Sequence, residues 1–315
     1  MTLMTKFLGA AAATALSAGA ALAEPALIFD LGGKFDKSFN EAAFAGAQRW
    51  AEETGESFRE IELQSEAQRE QALRRFAEAG SNPIVMTGFA FGDALGQVAG
   101  DYPDTDFVII DMVVDAPNVR SVVFNEHEGS YLVGMMAAMA SESNTVGFIG
   151  GMDIPLIRKF ACGYAQGVLA VNPDATVISN MTGSTPAAWN DPVKGSELTK
   201  AQISQGADVV YEDILSIGVD SNQNHLHAGK VLTSMIKRVD NAVFDAMSDG
   251  PGMEKGFNVM GVGNEGVGVA IDEHNKALIT AEMQAAVDEA STKIADGSLE
   301  VHDYMSDDSC PSLSF

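Results

Sequence analysis

The stretch "ALIFDLGGKFDKSFNEAAFAG", residues 26–46, opens on four apolar residues and closes them with Asp30. It then turns through Gly32 and Gly33 and carries Asp36, Ser38 and Asn40 into an amphipathic run. Strand, glycine turn, helix is the unit from which open α/β sheets are built. In such sheets ligands gather at the carboxyl ends of the strands, where a helix begins. The same polar residues also suit helix capping, because Asp and Ser side chains accept from the first free backbone N–H groups. Both readings stand on this stretch alone.

The unit recurs along the chain. "ALIFD", "PIVMT", "DFVIID", "TVGFIGG", "ATVISNM", "DVVY", "ILSIGVD" and "FNVMGVG" read as short buried strands. Amphipathic helical runs fall between most of them, over 39–53, 67–79, 131–140, 157–171, 195–205 and 282–295. Parallel strands buried on both faces need helices on both sides, which this alternation supplies. The chain therefore reads as α/β, with two doubly wound lobes.

Residues 1–23 carry Lys6, then an alanine- and leucine-rich stretch, then "ALA" before Glu24. That is the pattern of a signal peptide cleaved after Ala23, and the apolar part is shorter than the roughly 20 residues of a membrane span. No cysteine follows it to take a lipid anchor. The expected location is the periplasm. Removal of residues 1–23 leaves 292 residues, enough for two lobes, with a formal charge of about −26 once Lys6 is gone. So acidic a chain disfavours nucleic acid and anionic membrane surfaces as partners.

Several residues are placed to meet a ligand. Asn40 and Phe44 lie four apart at the start of the first helix and share a face, with Asp36 one turn earlier. An amide, a ring and a carboxylate together suit a planar heterocycle; a helix cap and a core phenylalanine are the plain alternative. Asp111 ends "FVIID" and Asp220 ends "SIGVD". A buried carboxylate needs a partner, either a salt bridge or a ligand with O–H or N–H donors.

Other signals carry less. "GVGNEG", residues 261–266, matches G-x-G-x-x-G but lacks the second strand and acidic residue of a dinucleotide site. His225 and His227 in "NHLH" have no zinc-like cluster around them, so no metal is expected. Ser38, Ser130 and Ser234 lack a nucleophile-elbow context. Cys162 in "FACGY" and Cys310 in "DDSCPS" are the only cysteines, in a compartment that permits disulfides. Pairing them would pin the C-terminal tail; two free thiols are the alternative.

"DLGGKFDKSFNEAAFAG", "EGSYLVGMMAAMAS", "VGFIGGMDIPLIRKFACGYAQGV", "AWNDPVKGSEL" and "IGVDSNQ…VLTSMIKR" occur in this order over nearly the whole chain after residue 23. Together they resemble the basic-membrane-protein (BMP) family of ABC-transporter substrate-binding proteins, its purine-nucleoside-binding members above all. The resemblance implies the type I periplasmic-binding-protein fold, two Rossmann-like lobes joined by a multi-strand hinge around a ligand cleft. It implies lobes of 24–124 with 238–265 and of 125–237 with 266–315. It further implies a monomer without cofactor that captures a purine nucleoside, or a related ribosyl compound, and delivers it to an ABC permease. Carried over by residue, Asp36 and Asn40 would meet the base with Asp111 nearby, and Tyr211 or Phe44 would stack on it. Asp220 and Lys237 would hold the ribose, and Trp189 would line the pocket. A sensor that presents its ligand to a receptor and a secreted nucleoside-processing enzyme are the other two classes; an enzyme is not the expectation.

The chain departs from the family between "DVVY" and "ILSIGVD", where only Glu212 and Asp213 separate Tyr211 from Ile214. A turn and helix are missing there, on the order of 15–20 residues. Parallel neighbours need a crossover of a dozen or more residues. These two runs are therefore expected either to merge or to leave one strand out of the sheet.

Overall fold

The computed structural model describes residues 23–210 and 215–315. Nearly all of the expected signal peptide, and Tyr211, lie outside them. The first sheet has six strands in the order β10-β5-β4-β3-β1-β2, all parallel. They are β1 (Ala26–Phe29), β2 (Arg59–Glu62), β3 (Ile84–Thr87), β4 (Phe107–Ile110), β5 (Val119–Phe124) and β10 (Gly256–Met260).

Every residue of β1, β3 and β4 is buried. Successive side chains of a strand point to opposite faces, and here they feed two separate cores. Leu27, Phe29, Val85, Val108 and Ile110 meet α1 (Phe39–Thr54) and α7 (Val239–Asp249) on one face. Ala26, Ile28, Ile84, Met86 and Ile109 meet α2 (Gln68–Glu78) and α3 (Gly92–Val98) on the other. Truncating Leu27 or Ile109 to alanine would cost about 2–5 kcal/mol by the cavity it leaves. At the α1–α7 contact a Cβ on Gly46 would fall 2.1 Å from the Asp240 carbonyl oxygen, so only glycine lets the helices approach this closely.

The second lobe is built from β6 (Thr145–Met152) beside β7 (Thr176–Gly183), and from β8 (Ser216–Asp220), β9 (Val231–Lys237) and β11 (Val267–Val269) in the order β11-β9-β8. Around these strands run α4 (Glu126–Ala140), α5 (Pro155–Val171), α6 (Pro192–Ser204) and α8 (Ala281–Ala295). No helix among the described residues is long and apolar enough to cross a membrane.

The short connection has a visible outcome. "DVVY" forms no strand in its described part; Val209 alone makes isolated parallel bridges, to Val146 of β6 and to Leu215 just before β8. Of the two outcomes expected, a merged run or a strand left out of the sheet, the described residues show the second, with the single bridges of Val209 in place of a ladder. A crossover is needed for a full ladder, in which the chain must return to the far end of its neighbour. A single bridge requires only that the end of one run meet the start of the next. The sheet is thereby divided into two pieces joined through one residue.

Candidate functional site

Asp111 follows the last residue of β4, and Asp220 is the last residue of β8. Both have left-handed backbones, with φ of 69° and 64°. A non-glycine residue held there costs about 1–3 kcal/mol and commonly marks a functional site. The two meet in a cavity of about 1300 Å³ whose walls come from both lobes. Asp36, Asn40, Trp189 and Lys237 line the same cavity.

Lys237, at the end of β9, is 2% exposed, and its ammonium lies 2.6 Å from Asp111 Oδ2 and 3.0 Å from Glu126 Oε1. Glu126, the first residue of α4, also pairs with Lys159 of α5 at 3.0 Å. Burial works against the charge on Lys237, but Asp111, Glu126 and Asp220 outweigh it and raise its pKa. Burial likewise opposes the charge on Glu126, and here Lys237 and Lys159 prevail and hold its pKa down. At Asp111 burial wins: with Glu126 and Asp220 adding to it, the pKa rises to about 6 in spite of Lys237. Burial also raises Asp220. The second oxygen of Asp111, Oδ1, is buried with no hydrogen-bond partner among the described residues.

The question left open for the polar corner has a structural answer. Asp36 accepts from the backbone N–H groups of Ser38, Asn40 and Glu41 at 2.8, 3.0 and 3.1 Å. It caps α1 from outside, while Ser38 makes no cap bond of its own. Asn40 donates to the carbonyls of Asp30 and Gly33 and accepts from Thr87 Oγ1 at 2.9 Å. Its amide thus shapes the cavity wall by fixing the Gly32–Gly33 turn. Ser38 instead reaches across the cleft, donating to Asp220 Oδ2 at 2.6 Å. Ser221 Oγ returns a bond to the Ser38 carbonyl and Gln223 Nε2 one to that of Lys37, both at 2.9 Å.

Phe44 is a correction. Its ring packs against Phe29, Phe35 and Phe58, with the Lys34 ammonium 3.6 Å from its centroid, and it is not part of the cavity wall. One turn beyond Asn40, the helix has already carried that face behind Lys34. The rings that do face the cavity include Phe35, 68% exposed, and Phe89, whose centroid lies 6.5 Å from that of Trp189 on the opposite lobe.

Sequence reasoning also passed over Asp30 and Arg69. Arg69 grips the Asp30 carboxylate at 2.9–3.2 Å, and both line the cavity. Asp30 ends a strand as Asp111 and Asp220 do, so the same rule would have found it. Glu126 carries no comparable local signal; only the hinge crossing brings it to Lys237.

The tail lies against α5. Cys162 and Cys310 are joined, with Cα atoms 5.7 Å apart, and Arg158 donates to the Tyr304 hydroxyl at 3.1 Å. His225 and His227 lie outside the cavity, in a 3₁₀ turn. Among the described residues the one group close enough to share a metal ion is Asp272, Glu273 and His274, also outside the cavity. Chemically, the cavity wall offers carboxylates and an ammonium that can bond hydroxyls, and aromatic faces that can cover a ring.

A sequence profile described as "ABC transporter substrate-binding protein PnrA-like" matches residues 24–302. The ABC transporter nucleoside-binding protein BmpA of Lactococcus lactis is 30% identical over 317 residues, covering 88% of each chain. An uncharacterized lipoprotein of Pyrococcus abyssi is 29% identical over 274 residues, 77% of this chain and 68% of that one. Among solved structures, a solute-binding protein of an ABC transporter system from Aeropyrum pernix superposes with a TM-score of 0.78. It is 26% identical, over 88% of this chain and 92% of its own.

Proposed function

We propose, for a chain that belongs to the PnrA-like Bmp family of ABC transporter substrate-binding proteins, that its cleft captures a purine nucleoside for delivery to a membrane permease. The observation that carries this reading is the carboxylate of Asp111, a residue of the cavity wall: one oxygen is bound by Lys237, and the other is buried with no hydrogen-bond partner among the described residues. An unpaired buried acceptor is costly, and a sugar hydroxyl would satisfy it. In this reading Asp111, Asp220 and Lys237 hold the ribose. Phe35, Phe89 and Trp189 cover the base, and Asp30 with Arg69 meets its edge. Asp36 and Asn40 keep that corner in shape. A nucleoside-binding relative of equal coverage supports the ligand class.

The lobes proposed are 24–124 with 238–265 and 125–237 with 266–315; the strands of the first sheet all fall within the first of these. The protein acts as a periplasmic monomer freed of residues 1–23, and it binds its ligand without converting it. Native mass spectrometry of freshly purified protein, followed by calorimetry with inosine, guanosine, adenosine, hexoses and amino acids, tests the assignment. A nucleoside should bind more tightly than any free base or sugar. Tight binding of a hexose or amino acid with no response to any nucleoside would overturn it. Release of free base from inosine would overturn the non-catalytic role.

A further inference from the structure

Two segments meet across the cleft, and each is held in place by its own side. In the loop before α1, Asp36 fixes the N–H groups of Ser38, Asn40 and Glu41. Lys37, inside that cap, keeps a left-handed backbone with φ of 60°, a conformation that persists only where the surrounding contacts impose it. The turn after β8 hangs on buried polar groups instead. Ser234 Oγ accepts from the Gln223 N–H at 3.0 Å and donates to Asn224 Oδ1 at 2.9 Å, and Asn224 Nδ2 donates to Asp272 Oδ2 at 3.1 Å. Asn224 and Ser234 are both 0% exposed.

Three side chains join these two segments. Ser38 Oγ donates to Asp220 Oδ2 at 2.6 Å, Ser221 Oγ donates to the Ser38 carbonyl at 2.9 Å, and Gln223 Nε2 donates to the Lys37 carbonyl at 2.9 Å. Ser38 and Asp220 belong to the cavity wall, whereas Ser221 and Gln223 do not. The cap made by Asp36 needs none of the three bonds. What they do is press the loop before α1 onto the end of β8, with the Asp220 carboxylate held between.

We propose that Ser38, Ser221 and Gln223 are positioning residues for the ligand: Ser38 aims the Asp220 carboxylate, and Ser221 and Gln223 hold Ser38 to it, so that the three set how long a bound ligand stays. The proposal rests on the reading of Asp220 as a ligand contact. A ligand held there leaves once the two segments part, so bonds between them slow its departure. Entry precedes those bonds and does not depend on them. Differences of this kind fall mostly on the dissociation rate.

The test is stopped-flow binding of inosine, guanosine and adenosine, with thermal melts on the same preparations. Ser221→Ala loses the donor to Ser38, and Gln223→Met keeps the side-chain length while losing the donor to Lys37. Each should speed release by about 2- to 12-fold and leave the association rate within about twofold. Ser38→Ala, whose bond is to a carboxylate, should exceed both. Ser221→Thr, which keeps the hydroxyl, should release the ligand at the wild-type rate. If a nucleoside binds and Ser221→Ala and Gln223→Met release it as wild type does, the positioning role falls and the nucleoside reading stands, whatever the melting temperatures. A change confined to the association rate overturns it equally. If the wild type binds no nucleoside, both fall.

Discussion

The Lys237 ammonium donates to Asp111 Oδ2 at 2.6 Å, joining the end of β9 to the end of β4 across the two lobes. The pair is nearly sealed from solvent, with side chains 2% and 6% exposed. Glu126 shares the same ammonium and passes the contact on to Lys159, which lies 3.5 Å from Asp303 in the tail. A residue expected to serve the ligand is therefore also the centre of a buried charge chain through the hinge.

Removing Lys237 should accordingly damage both binding and stability. Lys237→Ala leaves Asp111 and Glu126 facing each other without the shared cation, and breaking a buried pair in this way costs about 3–5 kcal/mol. Ligand affinity should fall about 10-fold or more through loss of a charge-assisted hydrogen bond. Calorimetry and thermal melts on the same preparation check both. A melting temperature unchanged from wild type would show that the chain of charges does not hold the hinge.

Binding should be pH-dependent through Asp111. Burial, with Glu126 and Asp220 adding to it, lifts its pKa to about 6, and the protonated acid loses an acceptor for a ligand hydroxyl. Affinity should therefore be full above pH 7 and decline as the pH falls through 6. Stability runs the other way for this group. Its folded pKa lies above the unfolded value near 3.9, so its contribution is complete below that value and lost as the pH rises towards 6. Asp111→Asn should bind more weakly at pH 7.5 and show a flat profile between pH 5 and 7.5. A wild-type profile equally flat would remove Asp111 from the ligand contacts.

These two residues also show how far the sequence could be read. Asp111 and Asp220 were visible because a carboxylate closing an apolar run can be recognised locally, and β1, β3, β4 and β10 of the six-stranded sheet followed from runs such as "FVII". The strand β2, "REIE", was not, since an edge strand with alternating exposure needs no apolar run. β9 is legible only as part of a family motif, because "VLTSMIK" mixes polar and apolar residues all along a buried strand. What Asn40 bonds to, which way Phe44 turns and how Glu126 reaches Lys237 depend on contacts between residues far apart in the chain. No local pattern encodes those contacts.

His127 supplies a test in acid. Burial, together with the Lys159 charge, pushes its pKa down to about 4, so the folded protein keeps the ring neutral. Its surroundings include Glu126 on its own helix, Lys159 on α5, and Asp303 and His302 of the tail. The unfolded chain takes up this proton near pH 6.5. The stabilisation is full above pH 6.5 and is lost progressively down to pH 4, on the order of 3 kcal/mol in all. The melting temperature of wild type should thus drop more steeply across this window than that of His127→Gln. Parallel curves for the two proteins would show that the ring does not titrate as its burial demands.

The last expectation concerns the break in the second sheet. Parallel strands gain stability from a continuous ladder covered by helices on both faces, and β1, β3 and β4 have this in full. Between β6 and β8 the ladder is reduced to the bridges of Val209, and only Glu212 and Asp213 separate "DVVY" from the next run. Regions with fewer buried contacts open at lower free energy, so amides of β6 and β8 should exchange faster than those of β1 and β4. Inserting a glycine-rich turn and a helix after Tyr211, about 15–20 residues in all, should restore the ladder. It should raise protection in β6 and β8 and tighten binding of the nucleoside, because the added backbone donors lie near the cleft. Equal protection of the two sheets before insertion, together with affinity unchanged after it, would show that the short connection is benign.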